Sequence, residues 1–103
     1  MMNVYLVMGA VGEYSDHEEW YVAVYIDHDL AKEHVRLATE AGNAIVAEAE
    51  AKRQPDQIWG TSGRVPTLYD PNFQWDYSRF QYYCNTVPLL HTLPGETLED
   101  FET

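Results

Sequence analysis

Trp20-Tyr21-Val22-Ala23-Val24-Tyr25-Ile26-Asp27-His28-Asp29-Leu30-Ala31 is the stretch on which the fold turns, because the period of its apolar residues changes inside it. Up to Ile26 the side chains alternate. Trp20, Val22, Val24 and Ile26 share one face, Tyr21, Ala23 and Tyr25 the other, and β-branched and aromatic residues suit a pleated strand. Beyond Asp27 the spacing lengthens to three and four. Ala31, Val35, Ala38, Ala41, Ile45 and Ala49 form one stripe, the mark of an amphipathic helix. Asp27 is an N-cap by residue type, and Asp29 complements the positive end of the helix dipole. The pattern predicts a helix from Asp27 to about Arg53, closed by Pro55, with Glu48 and Lys52 paired one turn apart. A stripe made mostly of alanine lets the helix lie close to a sheet. Gly42 costs about 1 kcal/mol against alanine there and implies a still closer approach or a slight bend.

Upstream, Asn3 to Gly9 reads as a strand that is apolar on both faces, as a central strand is. Residues 10–19 carry turn chemistry and form a long hairpin loop. Downstream, Phe80 to Leu89 reads as a third strand that ends, or lies at an edge, at Pro88. Residues 54–79 show no convincing element yet hold Trp59, Tyr69, Phe73, Trp75 and Tyr77; so aromatic a connection is not simple disorder. The order β-β-α-β gives an α+β domain: a three-stranded antiparallel sheet with the first strand in the middle, one long helix on one face and a long aromatic loop before the last strand. The helix is expected on the Trp20/Val22/Val24/Ile26 face. The opposite face would show Tyr5, Val7, Tyr21, Tyr25 and Tyr83, covered either by residues 54–79 or by another chain, a homodimer included. One domain is expected over residues 1–93, with an acidic, mobile tail over 94–103.

Charge narrows the partners. Seventeen Asp and Glu against six Lys and Arg give a net charge of −11, which repels phosphates and anionic membrane surfaces. No direct nucleic-acid or membrane partner is expected. The acids are unevenly placed: residues 1–31 hold six and residues 80–103 hold four, with no Lys or Arg in either stretch. Between 32 and 53, four acids meet four bases, so the excess belongs to the strand-bearing ends. A lone cysteine, Cys84, allows no internal disulfide and fits a reducing, cytoplasmic setting; no apolar run is long enough to span a bilayer, and the first residues lack a basic leader.

Gly12-Glu13-Tyr14-Ser15-Asp16, an alanine-rich helix, then Tyr69-Asp70-Pro71-Asn72 and Asp76-Tyr77-Ser78 resemble a group of small uncharacterised proteins of bacteriophages and prophages. The likeness covers most of the first 87 residues and departs at Arg79-Phe80, where that pattern usually continues with Gly-Thr. It implies a phage or mobile-element setting in a bacterial host, and supplies no activity and no catalytic residues. Small acidic proteins in that company include anti-restriction and anti-CRISPR inhibitors.

Catalytic constellations are weak. Asp16, His17, Glu18 and Glu19, or His28 with Asp29, are metal-ligand types, but no His-x-x-x-His or Cys-x-x-Cys spacing accompanies them, so no metal or other cofactor is expected. Cys84 reads as a small buried hydrophobe, and His34 as a structural histidine beside the stripe. Asp70 and Asp76 are a carboxylate pair of glycosidase type, although an Asp before Pro71 more often opens a turn. Trp59-Gly60-Thr61-Ser62-Gly63-Arg64 lacks the lysine of a phosphate loop. The expectation is therefore a binding protein without catalytic residues. Its partner surface comprises Glu13, Asp16, Glu18, Glu19, Trp20 and Tyr21, which would engage a basic site on a host defence protein. The alternative is a small-ligand module with a pocket between the sheet and residues 54–79, lined by Tyr25, Trp75, Tyr77 and Tyr83.

Overall fold

A computed structural model describes residues 2–12, 17–56 and 60–90. Three long strands, β1 (Met2–Val11), β2 (Glu18–Tyr25) and β5 (Gln81–Leu89), form an antiparallel sheet in the order β2-β1-β5. Helix α1 (His28–Ala51) packs on one face of it, and two short strands, β3 (Gly63–Arg64) and β4 (Gln74–Trp75), make a separate two-stranded ribbon. The α+β reading and the central place of the first strand hold.

Helix α1 starts where its residue types dictate. Asp27 is extended, and its side-chain carboxylate accepts from the backbone N–H groups of Asp29 (2.8 Å) and Leu30 (3.2 Å), two of the donors a helix start leaves open. At the far end Lys52 is the C-cap, so the helix stops one turn before Pro55. Its solvent face is tied by Glu33–Arg36–Glu40 and Glu48–Lys52 pairs, the last at 3.0 Å. Ala31, Ala38 and Gly42 are its buried residues, while Val35, Ile45 and Ala49 pack on the core. Gly42 is a contact point: a Cβ there would fall 2.6 Å from Phe80 Cζ and 2.8 Å from Phe73 Cε1, so only glycine admits both rings.

Strand β2 departs from simple alternation. Val7 pairs with Ala23 and Met8 with Tyr21, which leaves Val22 as the extra residue of a β-bulge. A one-residue slip exchanges the two faces of everything beyond it. Trp20 and Val22 therefore face the helix, but so do Ala23 and Tyr25, whereas Val24 and Ile26 are 59% and 69% exposed. The expected Trp20/Val22/Val24/Ile26 face is corrected accordingly. So is the expected tyrosine face: Tyr5, Val7 and Tyr25 lie on the helix side, Tyr21 and Tyr83 on the other.

The aromatic connection is built, not loose. Phe73 and Trp75 stack at 5.5 Å, Phe80 meets Phe73 edge-on at 5.0 Å, and both join Tyr82, Trp20 and Ala38 in the core. Residues 60–80 thus extend the helix layer on the same side of the sheet instead of covering the opposite face. Two features close the segment: an Asp70-Pro71-Asn72 turn, and a tight hairpin at Tyr77-Ser78 in which Asp76 and Arg79 exchange both backbone hydrogen bonds at 2.9 Å. Tyr77 (φ 52°) and Ser78 (φ 61°) both occupy the left-handed region, the conformation of a type I′ turn, which usually takes Asn and Gly. Ser78 is held there by its side chain, whose hydroxyl accepts from Thr61 N–H at 2.9 Å and donates to Glu50.

Candidate functional site

The two sides of the sheet offer different chemistry. On the helix side the centre is Asp70, a carboxylate that is fully buried. Burying a charge without compensation is costly, and three hydrogen-bond donors surround this one. Trp20 Nε1–H donates to Oδ2 at 2.9 Å, the Tyr82 hydroxyl donates to the same oxygen at 2.5 Å, and Asn72 N–H donates to Oδ1 at 2.9 Å. The clamp ties the loop to β2 and to β5. Burial, and then the Asp70 carboxylate, push the Tyr82 phenol far above the usual tyrosine range, which keeps it a donor at all ordinary pH. Asp70 does open a turn, and its partner in the glycosidase reading, Asp76, accepts from the Ser62 hydroxyl at 2.7 Å in the hairpin stem.

His34 is the second polar tie. Its Nε2 lies 2.7 Å from the Tyr69 carbonyl oxygen, which can only accept, so Nε2 carries the proton. Nδ1 then accepts from the Tyr25 hydroxyl at 2.7 Å. Tyr25, expected in a pocket, is thereby used in joining strand, helix and loop. His28 stacks on Tyr5 at 4.6 Å. Burial pushes the Cys84 thiol up, away from the thiolate a nucleophile needs. Among the described residues no three His, Cys, Asp or Glu side chains converge as metal ligands.

On the other side, the alternation of β1 places Val4, Leu6, Met8 and Ala10 in a row. Val24 and Tyr21 flank that row from β2, Val87 and Tyr83 from β5. The Tyr83 hydroxyl reaches over the central strand and donates to Glu19, which roofs Met8 and Ala10 and explains why both are buried. His17 Nε2 stands 3.6 Å from the same carboxylate. Away from that bridge the face is bare: Tyr21 is 72% exposed, and among the described residues no helix or strand lies across it.

The expected partner residues are therefore divided. Glu19 and Tyr21 lie on the bare face and Tyr83 joins them, Trp20 points inward to Asp70, and Glu18 turns to the helix side. Glu13 and Asp16 lie outside the described residues, as does the 94–103 tail. The four expected pocket residues are also dispersed: Tyr25 is on the helix side, Tyr83 on the bare face, Tyr77 on the exposed hairpin tip and Trp75 in the core. A groove does exist between the sheet and the 60–79 segment. It is open, about 470 Å³ in volume, and lined by Val11, Glu18, Ser62, Arg64, Trp75 and Asp76 among others. Of the four expected residues only Trp75 reaches it. Gly63, whose Cβ would fall 2.5 Å from the Trp75 ring, lets β3 close on β4 and shapes its wall.

Two signals for these surfaces were available in the chain. The apolar residues on both faces of β1 call for two covers, of which the helix is one. The turn residues around Asp70 and Asp76 mark a folded segment. No family model, curated protein or solved structure matches the chain, so the site is argued from its geometry.

Proposed function

We propose that this chain works by binding a protein through the bare face of its sheet. The observation that carries the reading is the Val4/Leu6/Val24/Tyr21/Tyr83/Val87 surface, apolar and aromatic, with Tyr21 and Val24 largely exposed. Tyrosine-rich apolar surfaces bordered by charge are typical of protein interfaces. Glu19 at one end of the patch and the net charge of −11 favour a partner with a basic rim, which they would attract at long range. In the phage setting that the sequence resemblance implies, a host defence factor with a phosphate-binding site has that character, and occupying it would inhibit it. Capture from bacterial lysate at low and high salt, read by mass spectrometry, tests the reading. A basic partner should be retained at low salt, weakened by salt, and lost with Tyr21→Ala and with Glu19→Lys. Retention by both variants would remove the bare face from consideration.

The groove supports a second reading, a small polar ligand held by Arg64, Glu18 and Asp76 over the edge of Trp75. A thermal-shift screen that yields a stabilising metabolite, cancelled by Arg64→Ala, would favour it.

A further inference from the structure

We infer that the groove between the end of the sheet and the β3–β4 ribbon is a site for a free α-amino acid with an apolar side chain. The inference rests on the second reading above, a small polar ligand in that groove, and is independent of what the bare face binds. The ribbon supplies one wall. Arg64 stands opposite Gln74, and one rung further the Ser62 hydroxyl donates to Asp76 at 2.7 Å. Alternation along the two strands puts these four side chains on one face. The other wall is the end of the sheet, where Val11 and Glu18 pair across β1 and β2.

The charges that meet here do not neutralise one another. On the helix Arg36, Lys52 and Arg53 each pair with a glutamate. Arg64 forms no such pair among the described residues; its guanidinium reaches only Gln74 Oε1, at 3.5 Å. Yet two carboxylates, Glu18 and Asp76, line the same groove. Asp76 is kept from Arg64 by its place in the ladder, because residues diagonal across two strands lie about 7 Å apart. Its carboxylate is taken by Ser62 and its backbone by Arg79. The groove is also preformed: the Trp75 ring stacks on Phe73, and its Nε1–H donates to Thr61 Oγ1 at 2.9 Å.

These charges select the ligand. A phosphate or another dianion would meet two carboxylates for one guanidinium, and a plain cation would meet Arg64 unanswered. An α-amino acid answers both signs, its carboxylate on Arg64 and its ammonium on Asp76 and Glu18. Its own charged groups are about 3 Å apart, so charge-assisted hydrogen bonds of about 2.8 Å at each end let it bridge the diagonal. Val11 and Trp75 offer its side chain an apolar wall, and the volume of about 470 Å³ is that of a small-ligand site.

Proton–nitrogen NMR titration of the unaltered protein with leucine, N-acetyl-leucine and leucinamide tests this. Leucine should shift the Gly63, Gln74 and Trp75 amides saturably. Each capped derivative lacks one of the two charges and should bind at least about tenfold more weakly. Arg64→Gln and Asp76→Asn should each weaken leucine by a similar factor, with an unchanged circular dichroism spectrum. Tyr21→Ala and Glu19→Lys, on the bare face, should leave leucine binding as it is. A capped derivative that binds as tightly as leucine overturns the inference while leaving the groove a ligand site. Leucine binding that Arg64→Gln leaves intact overturns it, as does the absence of a saturable shift with all three compounds. The bare-face reading, tested by capture from lysate, stands or falls separately.

Discussion

The two faces of the β1-centred sheet begin from similar material and end differently. Each presents an apolar row from β1 with aromatic neighbours on β2 and β5. On the helix side the row is closed by α1 and by the 60–80 segment, and the polar atoms carried in with that segment are satisfied there: Trp20 and Tyr82 donate to Asp70, and His34 donates to the Tyr69 carbonyl. On the other side one hydrogen bond, Tyr83 to Glu19, spans the centre, and the flanks stay open. The contrast teaches that burial here follows polar satisfaction as much as apolar content. A loop carrying backbone and carboxylate groups could be folded into the core only where donors from two strands met it.

The comparison can be broken most forcefully at the clamp. Asp70→Ala leaves the Trp20 and Tyr82 donors buried and unpaired, and should cost about 3–5 kcal/mol in urea unfolding; a loss below about 1 kcal/mol would mean the clamp holds nothing together. Gly42→Ala comes next. Helix propensity alone favours alanine by about 1 kcal/mol, yet overpacking against Phe73 and Phe80 should reverse the sign and leave a net loss of about 1–2 kcal/mol in thermal unfolding. A gain would show that the helix does not rest on those rings.

Alkaline pH should distinguish the faces more gently. The Tyr82 phenol is raised in the folded state, so folded protein keeps a proton that the unfolded chain loses above about pH 10. Its contribution is complete below that pH and falls as pH rises, by at most about 1.4 kcal/mol per unit. Denaturant titrations between neutral and alkaline pH should therefore show a shallower decline in Tyr82→Phe than in the parent protein. The smallest effect belongs to the bare face. Val24→Thr should change stability by less than about 0.5 kcal/mol, because the side chain gains little from folding where it is 59% exposed. A loss several times larger would mean that something covers that face.

How much was legible in the sequence follows from the range of the interactions involved. The N-cap at Asp27, the alanine stripe, the close approach at Gly42 and the turn at Asp70 all depend on neighbours within a few residues or on one repeating period, and each stands where the residues place it. The face of Val24 and Tyr25 did not. The bulge at Val22 carries no marker such as glycine, and it arises from matching β2 to β1 along a register that only pairing defines. The candidate pocket failed for the same reason, since Tyr25 and Tyr83 are separated by the sheet itself. Residues 60–80 looked irregular because their strands are two residues long, too short for a period to show.

By itself the sequence determined the β-β-α-β order, the helix ends, the turn residues and an excess of negative charge at the strand-bearing ends, because these are set by residue type and local spacing. Tertiary structure alone decided which face each aromatic side chain joins, that the carboxylate of Asp70 lies at the meeting point of Trp20, Tyr82 and Asn72, and that one side of the sheet is left open. Those outcomes depend on strand register and on contacts between residues far apart in the chain, 50 positions for Trp20 and Asp70 and 64 for Glu19 and Tyr83, and no local pattern encodes them.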